Sequence, residues 1–99
     1  MTLDEFRRST SGDRPPAGLS PPLLALWHDA RGDWTAAHET AQDIKDATGS
    51  WIHAYLHRKE GDLGNAGYWY HRAGKPECRT SLDAEWTQIA SALLATNDE

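Results

Sequence analysis

Two histidines on one predicted helix are the residues of this sequence best suited to chemistry. His53 and His57 are four positions apart, a spacing that places two side chains one above the other on a helix face. Neutral imidazoles in that arrangement form half of a site for zinc, copper or nickel. The helical metalloprotease motif has Glu directly after the first His, whereas Ala54 follows His53 in this chain. The pair is therefore a candidate metal half-site without a protease signature.

A metal held at this pair needs a third protein ligand, because two rarely suffice. Glu60 lies one helical turn beyond His57, and the other histidines can reach the pair only through tertiary packing. These further candidates are His28, His38 and His71. If the chain contains two stacked helical hairpins, His28 and His57 occupy equivalent positions. The expected ligand set is then His53, His57 and His28, with zinc as a suitable metal.

Helical periodicity leaves the burial of this pair open. At about 100° per residue, Trp51 and Leu56 lie on one side of the helix and the two histidines lie roughly opposite, toward solvent. The repeat family that the hairpins resemble, as described below, implies instead that His53 and His57 point toward the following helix. A central helix with neighbours on two sides is consistent with both. Ordinary surface or packing histidines are therefore the alternative to a metal site.

Five aromatic side chains form a candidate interaction surface. They are Trp51, Tyr55, Tyr68, Trp69 and Tyr70. Tyrosine and tryptophan are enriched where proteins bind one another, and packing in the core is the competing explanation. Three consecutive aromatic residues on a helix cannot all face one core, so we expect at least one of them to be partly exposed.

Other reactive groups do not form a recognisable active site. Cys78 is the only cysteine, which excludes an internal disulfide and a zinc site with several cysteines. A catalytic cysteine needs a histidine base within reach, and no sequence signature supports one. The Gly61-x-x-Gly64 segment lacks the Lys and Ser/Thr of a phosphate-binding loop. No catalytic residue is assigned, and the sequence favours a non-enzymatic protein.

The composition predicts an all-α protein. The 99 residues include fourteen Ala, ten Leu, three Ile and no Val, whereas strands favour β-branched residues. The net charge of −5 with scattered basic residues argues against nucleic-acid binding and a polybasic membrane segment. The beginning MTLDEFRRST has no apolar signal region. We therefore expect a cytoplasmic protein that binds neither nucleic acid nor membrane.

Turn and capping residues divide the chain into two parts. Residues 1–21 are expected to hold a short helix and a Pro/Gly/Ser-rich segment, and residues 22–97 a single helical domain. Gly and capping residues predict helices over 23–31, 34–48, 51–60 and 63–73, and another that begins near residue 80. The expected fold is a compact bundle of about five helices.

The two central hairpins share a repeated pattern. Gly-Asp-x-x-x-Ala occurs at 32–37 and again at 61–66, an offset of 29 residues, and such offsets indicate repeat folds. This unit resembles a tetratricopeptide-type hairpin over about residues 22–76. The second copy matches the order of small and aromatic packing residues in that family, and the first matches in part. The positions are Ala54, Gly61, Ala66, Tyr70, Ala73 and Pro76, with Ala25, Gly32 and Ala37 in the first copy.

The resemblance implies two tetratricopeptide-like hairpins followed by a C-terminal helix. Together with the excess of Trp and Tyr, it favours a non-catalytic module that binds another protein or a second copy of this chain. The alternative function is a histidine-based metal-binding protein, or a metal-dependent enzyme, that uses His53 and His57. A third histidine converging on this pair would favour the alternative.

Overall fold

The computed structural model of the chain describes residues 1–97, and this part consists of six α-helices without a strand. The helices are α1 Leu3–Ser9, α2 Pro21–Ala30, α3 Trp34–Gln42, α4 Ala47–Lys59, α5 Leu63–Ala73 and α6 Leu82–Asn97. The all-α prediction is confirmed. The count is six where about five were expected, because α1 packs onto the bundle and adds a helix.

Gly-Asp turns of the same geometry connect α2 to α3 and α4 to α5. Gly32 and Gly61 have φ of +82° and +91°, a region that glycine enters at little cost. The carboxylates of Asp33 and Asp62 then accept hydrogen bonds from backbone N–H groups three residues on, at 3.0 and 3.2 Å. These bonds satisfy donors that a helix start leaves unpaired. The repeated pattern in the sequence is thus a repeated turn.

The carbonyl groups of His28 and His57 belong to the same turns. Each accepts a hydrogen bond from the backbone N–H of the aspartate five residues later, at 3.0 and 2.9 Å. This is the bonding of a helix that ends in a left-handed glycine. His28 and His57 therefore share their place before the turn because of these main-chain hydrogen bonds. Their imidazole side chains take no part in the shared geometry and can have different environments.

The boundary between α3 and α4 differs from the sequence-based expectation. A helix was predicted over 34–48, but α3 ends at Gln42 and α4 begins at Ala47. Asp46 starts α4, because its carboxylate accepts hydrogen bonds from the N–H groups of the second and third residues after it. Gly49, expected to end a helix, lies inside α4, where a Cβ atom would be 2.2 Å from the carbonyl oxygen of Ile44.

Helix α1 is part of the core. The Phe6 ring is fully buried and stacks on the Trp86 ring of α6, with 5.6 Å between centroids. The Trp27 indole of α2 donates a hydrogen bond to the Ser9 carbonyl at 3.1 Å, which ties the end of α1 to α2. Residues 1–21 were expected to precede the helical domain, and the structure packs their helix into its hydrophobic core.

A buried carboxylate joins α4 to α2. Asp29 is 2% exposed, and it accepts hydrogen bonds from the Tyr55 hydroxyl at 2.8 Å and the Lys59 ammonium at 2.9 Å. Burial, reinforced by the charge of Asp29, raises the pKa of Tyr55 well above its ordinary value. The hydroxyl therefore remains a donor, and this face of α4 is held in place.

A second buried carboxylate joins α4 to α5 and α6. Glu85 is 1% exposed and accepts hydrogen bonds from the Tyr70 hydroxyl at 2.5 Å and the Arg58 guanidinium at 2.8 Å. Hydrogen bonds to charged partners are stronger than neutral ones. The two carboxylates thus anchor the C-terminal part of α4 to α2 and α6.

No helix within residues 1–97 combines the length and apolar character needed to cross a membrane.

The close approach at Gly49 predicts that Gly49→Ala is destabilising. The new methyl group has to push the main chain at Ile44 away, and overpacking of this kind costs about 1–3 kcal/mol. Urea unfolding followed by circular dichroism measures the change.

Gly64→Ala in α5 is the matched control, since a Cβ atom there meets nothing within 4 Å. Replacing a helical glycine by alanine at an open position is neutral or stabilising by up to about 1 kcal/mol. Equal unfolding midpoints for the two variants would contradict the close contact at Gly49.

Candidate metal centre

The two histidines of α4 are buried. His53 and His57 are each 7% exposed, and their rings lie parallel at 5.2 Å between centroids, with 7° between the planes. The solvent-facing arrangement that helical periodicity suggested is therefore not the one observed. The pair faces α3 and α5 instead, because every side of α4 from Gly49 to His57 is covered by the bundle.

His38 of α3 completes a three-histidine cluster. Its Nε2 atom is 2.8 Å from Nε2 of His53, and its ring is 5.3 Å from the His57 ring. One ring nitrogen from each histidine lies within 4.8 Å of those of the other two. His38 therefore occupies the place that the sequence analysis assigned to His28.

The cluster is close to the geometry that a metal needs. Zinc binds imidazole at about 2.0–2.1 Å, so the nitrogens of two tetrahedral ligands lie about 3.3 Å apart. The distance between the His38 and His53 nitrogens is 2.8 Å and would have to increase by about 0.5 Å. The nitrogen–nitrogen distances from His57 to His38 and to His53 are at most 4.8 Å and would have to decrease by at most about 1.5 Å. Shifts of this size are within the range that rotation about the side-chain bonds of histidine can produce.

Two indoles enclose the cluster. Trp34 stacks on His38 with 4.8 Å between ring centroids, and Trp69 stacks on His53 at 4.1 Å, both with 12° between planes. The Trp34 indole also donates a hydrogen bond to the Leu56 carbonyl at 2.9 Å, which fixes its position. Trp34 precedes His38 by one helical turn, a local signal that the sequence analysis did not use. The Trp69 contact depends on how α5 packs.

Glu60 bonds one ring nitrogen of His57 and leaves the other for a metal. The Nδ1 atom of His57 is 2.6 Å from a carboxylate oxygen of Glu60, so Nδ1 carries a proton and donates it. Nε2 is then the ring nitrogen that can offer a lone pair, and the Asn65 side-chain nitrogen lies 3.5 Å from it. A carboxylate behind a histidine is the usual arrangement that orients metal ligands.

Two of the three imidazoles, those of His38 and His53, are neutral at neutral pH because their pKa values are lowered. Burial lowers the pKa of His53 to about 4, and the neighbouring His38 and His57 lower it further by charge repulsion. Burial and the charge of His57 likewise lower the pKa of His38. One ring donates to the other across the Nε2–Nε2 contact. A metal needs both lone pairs, so the donor ring has to change tautomer when the metal binds.

A second group of possible ligands overlaps the first. His57, Glu60 and Asp62 also have ligand atoms within 4.8 Å of one another. Both carboxylates are exposed, and Asp62 already caps α5. Water and the helix start therefore compete for these oxygens. The three-histidine cluster, with two buried members, is the better candidate metal centre.

The remaining histidines lie elsewhere. The His28 ring packs edge-on against Trp27 of α2 at 5.4 Å, and His71 is exposed on α5. Neither belongs to a group of converging ligands among residues 1–97.

The five aromatic residues predicted for interaction do not form one surface. Trp51, Tyr55 and Tyr70 are 8%, 2% and 2% exposed and lie in the core. Trp69 is half-buried against His53, whereas Tyr68 is 54% exposed and contacts the guanidinium of Arg72.

Searches among protein-family models, curated proteins and solved structures found no match for this chain. The geometry of its own residues is therefore the basis for the functional argument.

The depressed pKa of His53 predicts a loss of stability in weak acid. The unfolded state takes up a proton near pH 6.5 and the folded state only near pH 4, so stability falls as the pH drops through this interval. The full loss for this group is on the order of 3 kcal/mol. Urea unfolding of the metal-free protein at pH 7, 5.5 and 4.5 measures it.

His53→Gln cannot take up this proton and should show a smaller decrease over the same interval, even if it is less stable at pH 7. His71→Gln, at an exposed position, should keep the wild-type decrease. An unchanged decrease in His53→Gln would show that other groups cause the acid sensitivity.

Proposed function

We propose that this protein binds a transition-metal ion of the zinc class through His38, His53 and His57. The observation that supports this function is the convergence of three imidazole nitrogens from two helices within 4.8 Å. A packing histidine normally bonds a backbone carbonyl or water, whereas His38 and His53 bond each other through Nε2. A cation would stabilise such a cluster, because the ring nitrogens face one another and can direct their lone pairs toward a shared ion.

The chemistry of the donor set limits the metals. Imidazole nitrogens suit zinc, copper and nickel, whereas calcium and magnesium require oxygen ligands. His38 and His53, whose pKa values are lowered, have no net proton to lose at pH 7 before they bind, although one of the two rings has to change tautomer. Glu60 orients His57, and partners of this kind contribute about 10–100-fold to metal affinity.

Binding would also link secondary-structure elements. His38 belongs to α3 and the other two ligands belong to α4, which meet across a short connection that includes Asp46. A ligand that binds only the folded state stabilises it, by about 2.7 kcal/mol at a free concentration 100 times the dissociation constant. Metal occupancy would thus stabilise the bundle at its α3–α4 contact.

Protein binding or self-association is the second candidate. It is supported by the exposed apolar side chains of α5, where Leu63 is 66% and Tyr68 54% exposed. A specific interface buries about 800 Å² on each partner, which two side chains cannot supply. We therefore rank it below metal binding.

A zinc titration tests the proposal directly. Protein purified without a histidine tag should bind one equivalent of zinc, and its melting temperature should rise by about 10–20 °C at 100 times the dissociation constant. Isothermal titration calorimetry and elemental analysis give the stoichiometry. Glutamine at His38, His53 or His57 should each weaken binding by at least about 100-fold, more than the loss of an orienting partner.

His28→Gln and His71→Gln are the matched controls, because both residues lie outside the cluster. They should bind zinc with wild-type affinity. Failure of the wild type to bind a stoichiometric ion, or equal weakening in all five variants, would contradict the proposed site.

A further inference from the structure

The three-histidine ligand set leaves a bound ion incompletely coordinated. Zinc in proteins takes at least four ligands, and sites with three protein ligands complete the set with water or another small molecule. Among residues 1–97, the group that contains His38 and His53 has no fourth histidine, cysteine or carboxylate. Histidine binds a metal as an uncharged imidazole, so an ion held by three histidines would keep its full double positive charge and attract an anion.

Glu60 is on the wrong side of His57 to supply the fourth ligand. Its carboxylate bonds Nδ1 at 2.6 Å, so Nε2 is the nitrogen left to bind a metal. The two ring nitrogens point in diverging directions, so a carboxylate bound at one is directed away from a metal at the other. Glu60 therefore orients the ligand and leaves the fourth position vacant.

The surroundings show where the fourth position can open. Trp34 covers one side of the cluster over His38, and Trp69 covers another over His53. Asn65 lies beside His57 with its side-chain nitrogen 3.5 Å from Nε2, and this residue is exposed. The Asn65 carboxamide is thus a polar, solvent-exposed group at the edge of the cluster, next to the nitrogen of His57 that is left to bind a metal.

Asn65 also has the right chemistry for an anion. Its amide nitrogen is a donor, and the residue lies in the first turn of α5, where the helix dipole favours negative charge. A metal-bound hydroxide or small anion could accept a hydrogen bond there and would not have to displace a protein ligand.

We propose that the metal centre keeps a fourth position for an exchangeable hydroxide or small monoanion, which accepts a hydrogen bond from Asn65. The inference rests on the proposed metal-binding function. A metal held by three neutral histidines lowers the pKa of its bound water to about 7. The site would then hold a nucleophilic oxygen at neutral pH, with one proton released to the solvent.

Cobalt(II) loading makes the open position visible, because the visible absorption of cobalt reports coordination number. The cobalt-loaded full chain should give a four-coordinate spectrum that azide changes in a saturable way, while elemental analysis shows that the cobalt stays bound. Asn65→Ala should retain cobalt affinity and weaken azide binding by about 5–10-fold, the effect of one hydrogen bond.

Asn65→Asp is the second variant and acts in the opposite way. It places a carboxylate at the same position, where it can bind the metal as a fourth ligand. Cobalt affinity should rise and the azide response should disappear. The backbone N–H of residue 65 still bonds Asp62 in both variants, so the start of α5 is preserved.

The outcomes separate this inference from the proposed function. Cobalt bound in one equivalent with a spectrum that azide does not change would overturn the open position and leave metal binding intact. Azide binding that is equal in the wild type and both Asn65 variants would overturn the role of Asn65. No stoichiometric cobalt binding would overturn both proposals.

Discussion

Burial of α4 on all sides is the constraint on which the rest of the structure depends. Every residue from Gly49 to His57 is buried, and several of these side chains are polar. A buried polar group costs free energy unless it has a partner. The partners come from α2, from α3 and from the end of α4 itself: Asp29 for Tyr55, His38 for His53 and Glu60 for His57. The histidine cluster is one of several solutions to this single requirement.

Local signals predicted the turns, and they failed where two signals competed. The Gly-Asp pairs at 32–33 and 61–62 were assigned correctly, since glycine and a capping aspartate act within a few residues. The α3–α4 boundary was wrong because Gly49 was interpreted as a helix end. Asp46 caps the start of α4. Gly49 lies inside this helix, where the absence of a side chain allows the main chain to approach Ile44 closely. That contact involves tertiary packing and leaves no local signature.

The candidate site was predictable only in part for the same reason. The spacing of His53 and His57 identified two ligands, and His38 was one of several possible thirds. The repeat analogy favoured His28, but equivalent positions share backbone geometry and not side-chain neighbours. His28 packs on Trp27, whereas His57 faces α3.

Among the aromatic residues, Tyr55 and Tyr70 lie in the core, where their hydroxyl groups donate hydrogen bonds to the buried acids Asp29 and Glu85. Each of these hydrogen bonds joins residues that are far apart in the sequence, so the helical periodicity of the apolar residues could not predict them.

The stacked indoles have a consequence for the kind of metal this centre could hold. Trp34 and Trp69 lie in direct contact with two ligand imidazoles, at 4.8 and 4.1 Å between ring centroids. Indole is among the most easily oxidised side chains, so an ion that cycles between oxidation states would have electron donors stacked on two of its ligands. Zinc has no accessible redox chemistry. The two indoles therefore suit a redox-silent ion, because a redox-active ion supplied with an external oxidant could oxidise them.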